Sequence, residues 1–183
     1  MEKIIKGIGA STGIAIGKAY LIQKPNFDLQ NPKNFVDTKK AKEILKSAVA
    51  KTCKQLEEIK NLSKDKIGQA NAELFDAHIQ IANDPAIFEQ INAALSSSGE
   101  INLAQTVNTV FDSFRDMFKS MSDPYFKERA SDVTDVKERI LANILNVELP
   151  DLISIHEPCI VVSSELTPSQ TALLNKKYIL GII

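Results

Sequence analysis

The sequence predicts a mixed α/β (α+β) protein in which a helical bundle interrupts a small parallel sheet. Strand-like segments stand at both ends, at residues 14–22, 159–162 and 178–183. The long stretches between them repeat their apolar residues at intervals of three and four, the period of a helix with one face in a core. The last segment reads strand, helix, strand, the order that a parallel pair requires.

In Gly7–Ile22 a glycine-rich opening precedes an alternating run. Ile14, Ile16, Tyr20 and Ile22 share one parity, as a strand requires. The glycines do not keep a dinucleotide-binding spacing and no helix follows them, so they mark tight turns before that strand. Residues 23–34 are polar, contain Pro25 and Pro32, and read as a linker.

The first helical stripe is Ala41, Ile44, Leu45, Ala48, Thr52, Leu56, Ile59 and Leu62, ending before Gly68. The second runs from about Gln69 with Leu74, Phe75, His78 and Ile81. Asn83-Asp84-Pro85 interrupts it, because the residue before proline avoids the helical region. Asp84 then caps a continuation with Ile87, Phe88, Ile91 and Leu95, closed by Ser96–Gly99. A third helix carries Leu103, Val107, Val110, Phe111, Phe114, Met117 and Phe118. Asp123 as cap and Pro124 at the first position open the fourth, which ends near Val147. Within it, Arg129, Asp132 and Asp135 are spaced by three, which alone reads as a solvated face with local ion pairs. Six of the eight phenylalanines lie between Phe75 and Phe126, so the core is placed there.

After Pro150 the composition turns β-branched, with Cys159-Ile160-Val161-Val162 as a strand. Thr167-Pro168-Ser169-Gln170 is a capping box with proline at the first position, opening a short helix over Thr171 to about Asn175. Tyr178–Ile183 is continuously apolar, as expected of a buried parallel strand. The expected organisation is therefore residues 1–24 and 148–183 as two segments of one α/β unit, and 33–146 as a helical insertion.

Bulk properties narrow the function classes. The chain has 183 residues, 44% hydrophobic and 25% charged, ordinary for a globular protein. A net charge of -1 gives no electrostatic case for nucleic acid or an anionic membrane. The N-terminus lacks a signal peptide's apolar run, and no segment has the length of a membrane span. Cys53 and Cys159 keep no metal-binding spacing and read as thiols in a reducing cytoplasm.

Four segments together resemble one family. They are GIGASTGIAIGKAYLI, AELFDAHIQIANDP, DPYFKERASDVTDVKERILANIL and VVSSELTPSQTALLNKKYILGII, in that order over essentially the whole chain. They are similar to the N-terminal part of Enzyme I, the phosphoenolpyruvate–protein phosphotransferase of the bacterial sugar phosphotransferase system. The resemblance implies a swivelling α/β phosphohistidine domain, here incomplete, with an inserted four-helix bundle that binds the small phosphocarrier HPr. It also implies a C-terminal barrel, absent from this stretch, that binds phosphoenolpyruvate and magnesium and dimerises the enzyme. This piece is accordingly expected to be monomeric and cytoplasmic, with no cofactor of its own.

Family resemblance places the phosphorylated histidine in a Gly-Gly-x-Thr-Ser-His segment beyond Ile183. Neither His78 nor His156 has that context, so this piece is expected not to carry the phosphoryl group itself. An imidazole accepts phosphate through a nitrogen lone pair, and a hydrogen bond at the other ring nitrogen fixes the tautomer. The resemblance assigns that supporting hydroxyl to Thr171. It assigns carrier contacts to Leu74, His78, Ile81, Asp84, Phe118, Phe126 and Arg129. The sequence departs from the family at Gln69 and Ala70, where acidic residues are usual, and at Gln80, where an apolar one is. Two other readings are a stand-alone helical interaction module and a fragment of a related phosphohistidine-domain dikinase. The AELFDAHIQIANDP and DPYFKERASDVTDV segments count against the dikinase.

Overall fold

The computed structural model describes residues 4–31, 34–67, 69–96, 100–150, 152 and 154–183, with backbone alone for 63–67 and 69–73. In chain order the elements are β1 (Lys18–Leu21), β2 (Phe35–Val36), α1 (Thr38–Ile67), α2 (Gln69–Ala82), α3 (Pro85–Leu95), β3 (Ile101–Asn102), α4 (Leu103–Ser120), α5 (Pro124–Leu145), β4 (Cys159–Val162), α6 (Pro168–Leu173) and β5 (Ile179–Ile182).

Local chemistry explains where the helices start. Asp84 and Asp123 each accept a backbone N–H two residues on, before a proline at the first helical position. Thr167 and Gln170 make both halves of the capping box at α6. Asn146 ends α5 in the left-handed conformation (φ 52°), which asparagine tolerates better than most residues. α6 stops at Leu173 rather than Asn175, because the chain turns extended at Leu174.

The helices pack with α5 against α1, α2 and α4, and α3 against α4. Their core holds Leu56, Phe75, Ile91, Phe111, Val136 and Ile140, each essentially without exposed surface. Burying one such side chain contributes about 1.5–3 kcal/mol. A second, smaller core of Ile22, Leu152, Ile155, Cys159 and Val161 underlies the sheet.

That sheet has the order β1-β4-β5, all parallel. Lys18 pairs with Cys159 and Leu21 with Val162, so strands from either side of the helices lie together. A Cβ on Gly17 would stand 3.0 Å from the end of the Leu180 side chain, which would have to shift to admit it.

Three strand expectations change. The first strand covers only Lys18–Leu21; Ile14 and Ile16 lie outside it and are exposed, and of the four same-parity residues only Ile22 is buried. β5 is a sheet edge with alternating exposure, so its apolar run is half open rather than buried on both faces. A short antiparallel ladder, Phe35–Val36 with Ile101–Asn102, was not foreseen, since two residues are too few to show a period. The expected linker is also partly packed: Phe27 and Leu29 lie on the bundle core, and the Asn102 amide donates to the Leu29 carbonyl at 2.6 Å. Residue 33, Gly68 and residues 97–99, expected as boundaries, lie outside the described residues. Among the described residues no helix is long and apolar enough to cross a membrane.

Candidate functional site

The turn from α4 to α5 gathers exposed aromatic surface. The rings of Phe118 and Phe126 are 5.9 Å apart, and Tyr125 meets Phe126 edge-on at 5.5 Å. The Arg129 guanidinium lies 4.9 Å from the Tyr125 ring centre and donates to the Tyr125 hydroxyl at 2.8 Å. Met117, Tyr125 and Phe126 are 43%, 55% and 38% exposed, too much for large side chains that serve only the core. The Asp123 cap sets the direction in which α5 leaves this corner.

Phe118, Phe126 and Arg129 thus come together, but the other sequence-derived contact residues do not. Ile81 is half-buried against the bundle core. Asp84 has its carboxylate committed to the α3 cap, accepting from Ala86 N at 2.8 Å. Leu74 lines a cleft described below. The side chains of Gln69 and Ala70 lie outside the described residues. His78 requires a correction: it has no exposed surface and cannot touch a partner in this state.

Around His78 the expected solvated face of Arg129, Asp132 and Asp135 is corrected, because both aspartates are buried. Asp132 and Asp135 are each 3% exposed. The Nδ1–H of His78 donates to the Leu74 carbonyl at 2.9 Å. Its Nε2 stands 3.5 Å from Asp135 Oδ2 and 3.8 Å from Asp132 Oδ1, contacts better described as an ion pair than as hydrogen bonds. Asp132 is held from the surface side by Arg129 Nη1 at 3.0 Å. Asp135 accepts from both the backbone N–H and the hydroxyl of Ser169, each at 2.8 Å. Arg139 Nη2 donates to the same hydroxyl at 2.8 Å. A continuous polar chain therefore runs from the aromatic corner, through the bundle interior, to the start of α6.

Charge states follow from these neighbours. Burial alone opposes a charge on His78, but the contact and charge of Asp135, the Leu74 carbonyl and Asp132 together raise its pKa. For Asp135 burial also opposes the charge, and His78, Arg139 and the Ser169 N–H outweigh it, so its pKa is lowered. Burial pulls Arg139 below the usual arginine value. Sequence reasoning missed Asp135, Arg139 and Ser169. No local signal marked them, because the residue that covers Asp135, Ser169, lies 34 positions further along the chain.

Between the bundle and α6 lies a cleft of about 680 Å³, lined by Leu74, Phe75 and Ser131 on one side and Leu166, Pro168, Thr171 and Ala172 on the other. The Thr171 hydroxyl donates back to the Thr167 carbonyl at 3.0 Å, so it is locally satisfied, yet its side chain borders the cleft. Among the described residues no group of three or more His, Cys, Asp or Glu side chains is arranged to hold a metal.

A family model described as PEP-utilising enzyme, N-terminal, matches residues 6–129. The phosphoenolpyruvate-protein phosphotransferase of Mycoplasma genitalium is 48% identical over 184 residues, covering 100% of this chain and 32% of that protein. The protein of the same name from Staphylococcus epidermidis is 37% identical over 183 residues, again 100% and 32%. The chain thus spans about a third of the length of the curated relatives it matches. An NMR solution structure of Enzyme I aligns with 98% of this chain and 72% of that one, with TM-score 0.78 and 32% identity. The N-terminal domain of Enzyme 1 - Nitrogen shares the fold over 94% of this chain and 70% of that one (TM-score 0.61, 21% identity).

Proposed function

This chain belongs to the family of PEP-utilising enzymes, of which it is similar to the N-terminal part, and we propose that it docks the phosphocarrier HPr within a phosphoenolpyruvate–protein phosphotransferase. In the whole enzyme the phosphoryl group passes from phosphoenolpyruvate through a phosphohistidine to HPr, in the cytoplasm, as a general step of sugar uptake. Magnesium serves the phosphoenolpyruvate-binding part, and no step in this stretch runs through it.

The observation that carries the reading is the α4–α5 corner, where Phe118, Tyr125, Phe126 and Arg129 form an exposed aromatic and cationic surface. Partly exposed aromatics with a charged rim suit a transient protein interface. Leu74 lies on the wall of the cleft beside α6, while Ile81, near the end of α2, and Asp84, at the α3 cap, are assigned to the docking face by the family resemblance. His78 acts from behind the face rather than on it. Thr171 borders the cleft where a phosphohistidine of the α/β unit would approach the bundle, and its hydroxyl orients that imidazole. The two separate cores, one among the helices and one under the sheet, support dividing the chain into a bundle at 33–146 and an α/β unit at 1–24 and 148–183.

The test is a titration of this chain into isotopically labelled HPr, followed by NMR. Shifts clustered around the carrier's active histidine are expected. Their absence at high concentration, with the chain folded, would remove the docking role.

A further inference from the structure

We propose that Asp135 is a positioning residue that clamps the start of α6 to the helical bundle, and that the clamp closes when His78 carries a proton. The geometry commits both carboxylate oxygens: Oδ2 accepts from the Ser169 N–H and Oδ1 from the Ser169 hydroxyl. Ser169 has no exposed surface, so water cannot replace either bond while the contact is closed. The two residues belong to different units, Asp135 to the bundle and Ser169 to the segment between β4 and β5. Among the described residues, Ala172 and Leu173 of α6 also join those units through apolar contact with the bundle core. The Arg139 guanidinium reaches the same serine hydroxyl at 2.8 Å.

His78 decides whether this arrangement is electrostatically tolerable. Its Nδ1–H is fixed by the Leu74 carbonyl. A neutral ring would therefore present the Nε2 lone pair to Asp135 at 3.5 Å and to Asp132 at 3.8 Å. A protonated ring presents N–H and positive charge instead. Nε2 is buried without a hydrogen-bond partner, so nothing but these two carboxylates answers it. The charged groups around it are Asp132 and Asp135 from α5, with Arg129 behind the first and Arg139 behind the second. α6 contributes only the amide and hydroxyl of Ser169. α1 pairs Lys60 with Asp76 of α2, and none of its described side chains brings a charge within 4.0 Å of the imidazole.

The clamp has a consequence for the cleft. Ser169 and Thr171 stand on the same short helix, so holding Ser169 holds the Thr171 side of the cleft wall against Leu74 and Phe75. This last step rests on the docking and transfer reading above; the clamp itself does not.

The test uses this chain, isotopically labelled, from pH about 6 to about 9, a range that spans the ordinary histidine value and above. Three signals are followed together: the His78 imidazole nitrogens, amide exchange at Ser169 and Gln170, and residual dipolar couplings of bundle and sheet. As His78 loses its proton, exchange at Ser169, corrected for base catalysis, is expected to quicken by roughly tenfold or more. The alignments of bundle and sheet should diverge over the same interval. In Asp135→Asn the alignment should be loose throughout and the pH step should vanish. Unchanged protection at Ser169 while His78 titrates would overturn the proposal. So would a His78 already neutral at the acid end, or a folded Asp135→Asn chain with native alignment and protection. If Asp135→Asn does not fold, Ser169→Ala decides: divergent alignment supports the clamp and native alignment overturns it. None of these readouts involves HPr, so the clamp can fail while docking stands, and the reverse.

Discussion

Nε2 of His78 on α2 faces Oδ2 of Asp135 on α5 across 3.5 Å, with both residues withdrawn from water. The pair makes stability depend on pH in both directions. His78 has a raised folded pKa, so its contribution is complete below about 6.5 and is lost as pH rises through the folded value. Asp135 has a lowered folded pKa, so its contribution is complete above about 3.9 and is lost as pH falls through the folded value. Urea midpoints measured across pH should pass through a maximum on the weakly acidic side of neutrality. A flat profile would contradict the pairing.

Phe126→Ala and Arg129→Ala should differ in kind. Phe126 is partly exposed, so its removal should weaken HPr binding while costing the fold no more than about 1 kcal/mol. Arg129 is bonded to buried Asp132, and truncating it strands that carboxylate, at a cost of about 1–3 kcal/mol. Of the two variants, Phe126→Ala alone should leave the fold close to native. Thermal unfolding beside a binding titration separates the two effects.

Asp84 is claimed by two roles, and two substitutions divide them. Asp84→Asn keeps a capping oxygen for Ala86 N but removes the charge. Asp84→Ala removes both and should cost about 1 kcal/mol through loss of the α3 cap. If the carboxylate meets a basic residue of the carrier, both variants bind less tightly and only the alanine variant unfolds earlier. Full affinity in Asp84→Asn would take Asp84 off the docking face.

Thr171→Val removes a hydroxyl whose bond to the Thr167 carbonyl is exposed. Stability should change by less than about 1 kcal/mol. In the full-length phosphotransferase the same change should slow phosphoryl transfer with HPr affinity retained. Unaltered turnover would leave Thr171 only its place in α6.

The helices were largely legible because their information is local. The stripe through Leu45, Thr52 and Leu56 is set by period, and the starts at Asp84, Asp123 and Thr167 by caps two or three residues long. The aromatic corner was legible through Phe118, Phe126 and Arg129. The interior polar chain was not, because what buries Asp135 is Ser169, 34 residues further on. Two aspartates on a charged helix look solvated until a distant segment covers them. For the same reason β5 looked buried: an apolar run does not say which of its faces a neighbour covers.

The adjacency of β1 and β4 also dictates an order of assembly. Lys24 pairs with Glu165 across 141 residues, close to where the β1–β4 ladder draws the two flanks of the helices together. Closing so long a loop in an unfolded chain carries a large entropic penalty, whereas helices that already bring its ends together leave little to lose. The helical core should therefore form early in refolding and the three parallel strands last. Pulse-labelled amides should show protection at Phe111 and Ile140 before Tyr20 and Val161.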